Sequence, residues 1–247
     1  MNNNSKSIAS IERLRFLTDG DGIFTLVCFQ GCPLRCKMCA NPYAVPATSK
    51  YATAYTPQTL YDKVKLDELY FIASGGGVTF GGGEPLLHPE FIQEFRKLCK
   101  EQWHLCVETS LAVPWENIAA VADIVDVFYF DCKDIDPEIY KAYTGKENTL
   151  VLENIKKLSD LISPEKIVVR IPLIPGFNTE ANQQQSAAFF KTLGLTRFDL
   201  FTYMEPERIQ QAMAELELPF CQKCGARVWE ADTYCFKCGS LLRDHTL

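Results

Sequence analysis

Apolar and β-branched residues come in short runs set widely apart along the chain. The run Ile23-Phe24-Thr25-Leu26-Val27-Cys28-Phe29 is followed by others at 77–80, 104–108, 125–131, 167–174 and 197–201. Runs of this length bounded by glycine, proline or charged residues read as strands. Between them apolar side chains recur at helical spacing, at Phe91, Ile92, Phe95 and Leu98 and again at Leu152, Ile155, Leu158 and Leu161, with charges on the opposite face. Six strands alternating with helices predict parallel pairing through right-handed crossovers. An open doubly wound sheet and a sheet curved into a partial barrel share this periodicity. The notable polar residues, however, fall at the C-terminal ends of several strands, where barrel-type folds place their sites. Beyond Pro206, residues 207–217 read as a last helix, which Leu218-Pro219 breaks, and the composition then changes. The expected division is a main domain over 1–218 and a small module over 219–247.

Composition narrows the function without naming it. Of 247 residues, 47% are hydrophobic, enough for a sizeable core. A formal net charge of −6 disfavours general affinity for nucleic acid or acidic membranes. The polar start Met1-Asn2-Asn3-Asn4-Ser5-Lys6-Ser7 and the lack of a long apolar run lead us to expect a cytoplasmic protein, monomeric when free. Eleven cysteines in such a chain point to metal ligation and reduced thiols rather than disulfides.

Three of those cysteines, Cys32, Cys36 and Cys39, lie within eight residues just after the first strand. Three thiolates can hold three irons of a cubane cluster and leave one iron open to a small molecule. A zinc knuckle or a disulfide cluster would also use closely spaced cysteines, but there is no nearby fourth ligand and no histidine within reach in sequence. The spacing Cys-x3-Cys-x2-Cys resembles the signature of the radical S-adenosylmethionine (radical SAM) superfamily. The stretch Gly31-Cys32-Pro33-Leu34-Arg35-Cys36-Lys37-Met38-Cys39-Ala40-Asn41-Pro42 resembles that of the glycyl-radical-enzyme activating proteins.

The resemblance implies an α/β fold, a partial (β/α)6 barrel, with a [4Fe-4S] cluster on Cys32, Cys36 and Cys39. It also implies S-adenosylmethionine (AdoMet) bound to the open iron through its amino and carboxylate groups. One electron, from a donor such as flavodoxin or ferredoxin, cleaves AdoMet to methionine and a 5′-deoxyadenosyl radical. In activases that radical takes a hydrogen atom from the α-carbon of a glycine in a partner glycyl radical enzyme. An oxygen-sensitive cluster of this kind suits an anaerobic cell.

The same resemblance assigns the strand ends. Gly81-Gly82-Gly83-Glu84-Pro85 is similar to the family's Gly-Gly-Glu-Pro motif and puts Gly82, Gly83 and Glu84 at the AdoMet amino group. A phosphate loop is disfavoured because no Lys-Ser or Lys-Thr pair follows. Glu108-Thr109-Ser110 stands where the family approaches methionine and ribose, and where some activases bind a monovalent cation. Asp131-Cys132-Lys133 matches Asp-x-Lys, placing Asp131 and Lys133 on one face by the period of two, with Lys133 directed at the AdoMet carboxylate. Arg170 resembles the fifth-strand arginine near that carboxylate, a partner that suits a guanidinium. Tyr203-Met204 departs from the Tyr-His pair common in pyruvate formate-lyase activases. Cys28, Cys99, Cys106 and Cys132 read as core residues, and neither His88 nor His104 makes a convincing ligand.

At the C-terminus, Cys221-Gln222-Lys223-Cys224-Gly225 and Cys235-Phe236-Lys237-Cys238-Gly239 repeat one pattern. Four thiolates, Cys221, Cys224, Cys235 and Cys238, suit tetrahedral Zn2+, and the segment resembles a short zinc ribbon, with a rubredoxin-like iron as the runner-up. A segment this small relies on its metal to fold. Residues 40–75 lack the extra cysteines of a ferredoxin-like insert, which favours the compact pyruvate formate-lyase type of activase. Two competing readings are a radical SAM enzyme acting on a small molecule or peptide, and an iron–sulfur or zinc-ribbon redox or interaction module that cleaves no AdoMet.

Overall fold

The computed structural model describes residues 4–16 and 18–203. The expected helix over 207–217, the boundary at 218 and the four-cysteine module lie outside the described residues. All six expected strands are present: β2 (Ile23–Phe29), β4 (Gly77–Gly82), β5 (His104–Thr109), β6 (Val127–Asp131), β7 (Ile167–Leu173) and β8 (Arg197–Thr202). They pair in parallel in that order. The helices between them are α1 (Pro57–Val64), α2 (Glu68–Ser74), α3 (Pro89–Arg96), α4 (Trp115–Ala119), α5 (Pro137–Thr144), α6 (Thr149–Leu161) and α7 (Glu180–Thr192). Several begin where their sequences dictate. Thr56 and Thr59 form a reciprocal cap at α1, Thr179 and Asn182 do so at α7, and the Asp136 carboxylate accepts from two amides at the start of α5.

Two further strands were not anticipated. β1 (Lys6–Phe16) pairs antiparallel with β2, and the short β3 (Thr53–Tyr55) pairs antiparallel with β1, making an eight-stranded sheet in the order β3-β1-β2-β4-β5-β6-β7-β8. The alternation of β1 is hidden in the sequence because its register with β2 shifts between Glu12 and Arg15, around Leu14 at a φ of 56°. Such a bulge reverses the faces of the residues beyond it. Arg13 consequently points to the outer layer, where its Nε donates to Asp67 Oδ2 at 2.8 Å, while Arg15 turns inward to Asp19 at 3.2 Å.

The period of two sorts the sheet into two faces. Val27, Phe29, Val78, Phe80, Leu105, Val107, Phe128, Phe130, Val169 and Ile171 join the helices in the main core. Their intervening neighbours Phe24, Cys106, Tyr129 and Val168 form a second small cluster. Glu108, Asp131 and Arg170 continue that second face by alternation. The face is concave. β2 and β7 stand four places apart in the order, roughly 19 Å across a flat sheet. Yet Thr18, just before β2, accepts through its carbonyl from Arg170 Nη2 at 2.7 Å, and the carbonyl of Asp19 accepts from Tyr129 Oη at 2.5 Å. Only a curled sheet brings these together, so the fold is the expected partial barrel, and the loop between β1 and β2 reaches its interior.

Asp67, fully buried, ties the added hairpin to the barrel by accepting from Arg13 and from Thr25 Oγ1 at 3.0 Å. Burial by itself raises its pKa, but the bonds from Arg13 and Thr25 outweigh it and hold the carboxylate below its usual range. Asp67→Asn is expected to cost about 1–3 kcal/mol in urea unfolding at neutral pH. A depressed folded pKa stabilises above the unfolded value of about 3.9 and is lost as pH falls through the lower folded value. The gap between wild type and Asp67→Asn should therefore close only at strongly acid pH; a gap independent of pH contradicts the assignment.

Candidate functional site

The cysteine loop leaves β2 at Phe29 and is fixed from two directions. On one side its chain returns through Pro42–Ala44, with Gly31 N donating to Ala44 O at 2.7 Å, Cys32 N to Val45 O at 3.1 Å, and Gln30 Nε2 to Tyr43 O at 3.0 Å. On the other it docks on the end of α5. The last carbonyls of a helix lack intrahelical donors. Here Arg35 N donates to Thr144 O at 2.9 Å and Lys37 N to Tyr143 O at 3.1 Å, while Tyr143 Oη reaches Met38 O at 3.2 Å.

The glycine loop after β4 completes the frame. Gly83 N donates to Phe29 O at 3.0 Å and Glu84 N to Gly31 O at 2.8 Å. A Cβ on Gly82, whose φ is +85°, would lie 2.3 Å from Cys28 Cβ, and one on Gly83 would lie 2.2 Å from Gly31 O. These two glycines thus let the loop press against the end of β2, as well as leaving its backbone bare toward the cavity. Glu84 is 1% exposed and turns inward. Its oxygens accept from Thr109 Oγ1 at 2.7 Å, Ser110 Oγ at 2.7 Å, Ser110 N at 3.0 Å and Leu86 N at 3.2 Å.

Between these loops lies a cavity of about 100 Å³. Cys32, Cys36 and Cys39 line it, with Gly82, Gly83 and Glu84, the strand-end residues Glu108 and Thr109, and Asp131 and Lys133. Burial, and next Glu84, push the Cys32 thiol up to about 12; burial raises Cys36 as well, against the pull of Lys133. Metal binding must therefore displace protons here. Lys133 Nζ donates to Asp131 Oδ2 at 3.1 Å and to Tyr203 Oη at 3.1 Å. Burial opposes its charge, but Asp131 and then Tyr203 overcome this and keep it firmly protonated.

A second cavity of about 500 Å³ adjoins the first, sharing Ala40, Asn41, Glu108, Asp131 and Tyr203 with it. Arg170 lines this one and not the first. Its Nη1 donates to Glu108 Oε1 at 2.7 Å, and its guanidinium lies 4.4 Å from the centre of the Tyr129 ring. Burial raises the Glu108 pKa while Arg170 draws it down. Glu12 and Arg15 of β1 complete the wall.

The donor set fits a cubane cluster. Among the described residues no three cysteine, histidine or carboxylate side chains converge on a single metal ion, whereas a cubane takes its thiolates on separate irons. Among the described residues no fourth cysteine lines the cavity, since Cys28, Cys106 and Cys132 are buried elsewhere. Residues 26–183 match the family model of the radical SAM superfamily. The chain belongs to that superfamily. Among radical SAM proteins, it is 35% identical to the (2S)-3-sulfopropanediol dehydratase activating enzyme of Klebsiella oxytoca, over 74% of this chain and 76% of that one. It is also 35% identical to the pyruvate formate-lyase-activating enzyme of Clostridium pasteurianum, over 78% and 85% respectively. It is thus a radical SAM activating enzyme of the group that acts on glycyl radical enzymes, and the family implies a [4Fe-4S] cluster and AdoMet. The crystal structure of Streptococcus suis SuiB bound to precursor peptide SuiA shares the fold, with a TM-score of 0.54 at 14% identity over 74% of this chain and 43% of that one.

The structure thus brings ten of the expected main-domain residues to one cavity and sets Arg170 in its neighbour. Tyr143, Tyr203, Glu12 and Arg15 were not assigned a role at the site, Tyr203 having been noted only where, with Met204, it departs from the family's Tyr-His pair. The first two come from a helix and a strand end far from the cysteines in sequence, and the last two from the strand disguised by its bulge. Cys28, Cys106 and Cys132 are core residues as expected; Cys99 is half-buried, its thiol donating to Phe95 O at 3.4 Å. No helix among the described residues is long and apolar enough to cross a membrane.

Gly83→Ala must move the backbone at Gly31. Iron per chain after anaerobic reconstitution is expected to fall at least threefold, while far-ultraviolet circular dichroism stays near that of wild type. Full iron content in the variant would contradict the close approach described here.

Proposed function

We propose that this radical SAM activase generates the glycyl radical of a pyruvate formate-lyase-type partner. The carrying observation is the segment between the cysteine loop and β4. It is taken up by β3, α1 and α2 and contains no cysteine from Ala40 to Gly76, so it has no ligands for additional clusters. The similarity to the Clostridium pasteurianum protein, whose length the chain covers to 85%, supports the same reading.

When bound, the cluster on Cys32, Cys36 and Cys39 supplies the electron that cleaves AdoMet and yields the 5′-deoxyadenosyl radical. The residues of this chain orient the substrate and exclude water. The bare backbone at Gly82 and Gly83 receives the AdoMet amino group, with Glu84 holding that backbone in place. Lys133, protonated and aimed by Asp131 and Tyr203, takes the carboxylate. Glu108 and Thr109 flank the methionine and ribose, and Arg170 fixes Glu108 through their ion pair. Zn2+ at Cys221, Cys224, Cys235 and Cys238 gives a closed shell suited to structure or partner docking. A monovalent cation at Glu108-Thr109-Ser110, and reduction by flavodoxin or ferredoxin, complete the proposed requirements.

Low-oxygen electron paramagnetic resonance of the reduced, AdoMet-supplied protein with a pyruvate formate-lyase-type partner is expected to show a glycyl radical doublet. Cys36→Ala should show none. Accumulation of 5′-deoxyadenosine without a doublet would redirect the proposal to a small molecule or peptide substrate.

Lys133→Ala should weaken AdoMet binding to the cluster-loaded protein about tenfold or more, the scale of one charge-assisted hydrogen bond lost in a buried site. Equilibrium dialysis measures it, and an unchanged affinity removes Lys133 from the carboxylate.

A further inference from the structure

The roles assigned to AdoMet leave charges unused where β1 and β8 line the second cavity. Two arginines organise them. Arg15 Nε donates to Thr18 Oγ1 at 3.1 Å and lies 3.2 Å from Asp19 Oδ2, while its Nη1 stands 3.5 Å from Glu12 Oε2. Arg170 repeats the arrangement. It holds Glu108 at 2.7 Å, stands 3.6 Å from Asp199 Oδ2, and donates to the Thr18 carbonyl, so the two groups form one network.

In each group one carboxylate is held and one is spare. The side chains of Asp19 and Glu108 are 0% and 17% exposed and sit at bonding distance. Those of Glu12 and Asp199 are 46% and 52% exposed, at separations beyond an ordinary N–H···O bond. Two guanidiniums therefore face four carboxylates. The shortage of donors extends inward. Asp19 Oδ1 is buried and has no hydrogen-bond partner among the described residues. A buried oxygen in that state calls for a donor that the protein alone does not supply. Burial raises the Glu108 carboxyl, Arg170 opposes this, and Asp19 and Asp131 add to the rise. Lys133 brings no relief, being committed to Asp131 and Tyr203.

The two cavities divide the reaction between them. The smaller holds the cysteines and the bare glycine backbone, and the larger meets it along Glu108, Asp131 and Tyr203. A guest in the larger cavity lies directly against whatever fills the smaller, where the hydrogen donor of a radical reaction must be. We propose that the larger cavity receives a segment of the partner's chain bearing a lysine or arginine beside its target glycine, and that Glu12 and Asp199 select that segment by its positive charge. This rests on the activase reading above and adds a feature of the substrate to it. An acidic residue in that place would meet the surplus of carboxylates, and such like-charge encounters exclude wrong sequences. Glu12 and Asp199 line only the larger cavity, so they are specificity-determining residues that act on the guest rather than on AdoMet.

The test offers the reconstituted activase peptides that differ in one residue beside an α-deuterated glycine, with Lys, Gln or Glu placed in turn before and after it. Deuterium carried into 5′-deoxyadenosine measures abstraction. The expected kcat/KM for Lys exceeds that for Gln about fivefold, the upper range for half-exposed ion pairs, with Glu below both. In Glu12→Gln/Asp199→Asn the Lys-to-Gln ratio is expected to fall toward one. Equal values for the three residues in wild type, or a ratio that the double variant leaves intact, overturn the proposal. Should the double variant not fold, wild type decides alone: added salt must shrink the Lys-to-Gln ratio by screening, and a ratio indifferent to salt overturns the proposal. If no peptide passes deuterium while the intact partner still shows its glycyl doublet, the segment does not enter this cavity and the proposal falls. If the doublet is absent as well, the activase reading itself fails.

Discussion

The Glu84 carboxylate accepts from Thr109 and Ser110 while the amide of the same residue donates to Gly31, so one buried residue, through side chain and backbone together, joins the ends of β4 and β5 to the cysteine loop after β2. Burial raises its pKa, and the bonds from Ser110 and Thr109 work against that. Its hydrogen-bonding capacity is spent within the protein. The cavity wall is consequently built before any cofactor arrives, and the backbone of Gly82 and Gly83 stays exposed because Glu84 holds it from behind. Lys133, held charged by Asp131 and Tyr203, lines the same cavity as the three thiols.

The cysteine spacing and the strand runs were legible in the sequence because each is local. The six parallel strands follow from short β-branched runs, and the inward direction of Glu108, Asp131 and Arg170 follows from alternation once their strands are known. β1 was not legible because its bulge at Leu14 breaks the period on which such reading depends. The pairing of Arg170 with Glu108, and of Lys133 with Tyr203, joins residues 62 and 70 positions apart and leaves no local trace. The resemblance supplied the types of residue at the site, while the curled sheet determined which of two adjoining cavities each entered.

The bulge has a role beyond disguise. By turning Arg13 outward and Arg15 inward, it lets one edge strand serve the outer core and the barrel interior together. The hairpin thereby extends the sheet beyond β2 with an antiparallel strand that carries an arginine to each face rather than with a further parallel strand.

The docking of the cysteine loop on α5 also imposes a timetable on biosynthesis. Met38 and Tyr143, which meet in the finished protein, are 105 positions apart. A ribosome adding about 5–20 residues per second needs roughly 5–20 s to pass from one to the other. For that interval the three cysteines have emerged or are emerging without the helix end that shapes their loop. Iron–sulfur insertion into a formed site is therefore a late event, and the nascent thiols depend on the reducing state of their surroundings until most of the barrel has been made.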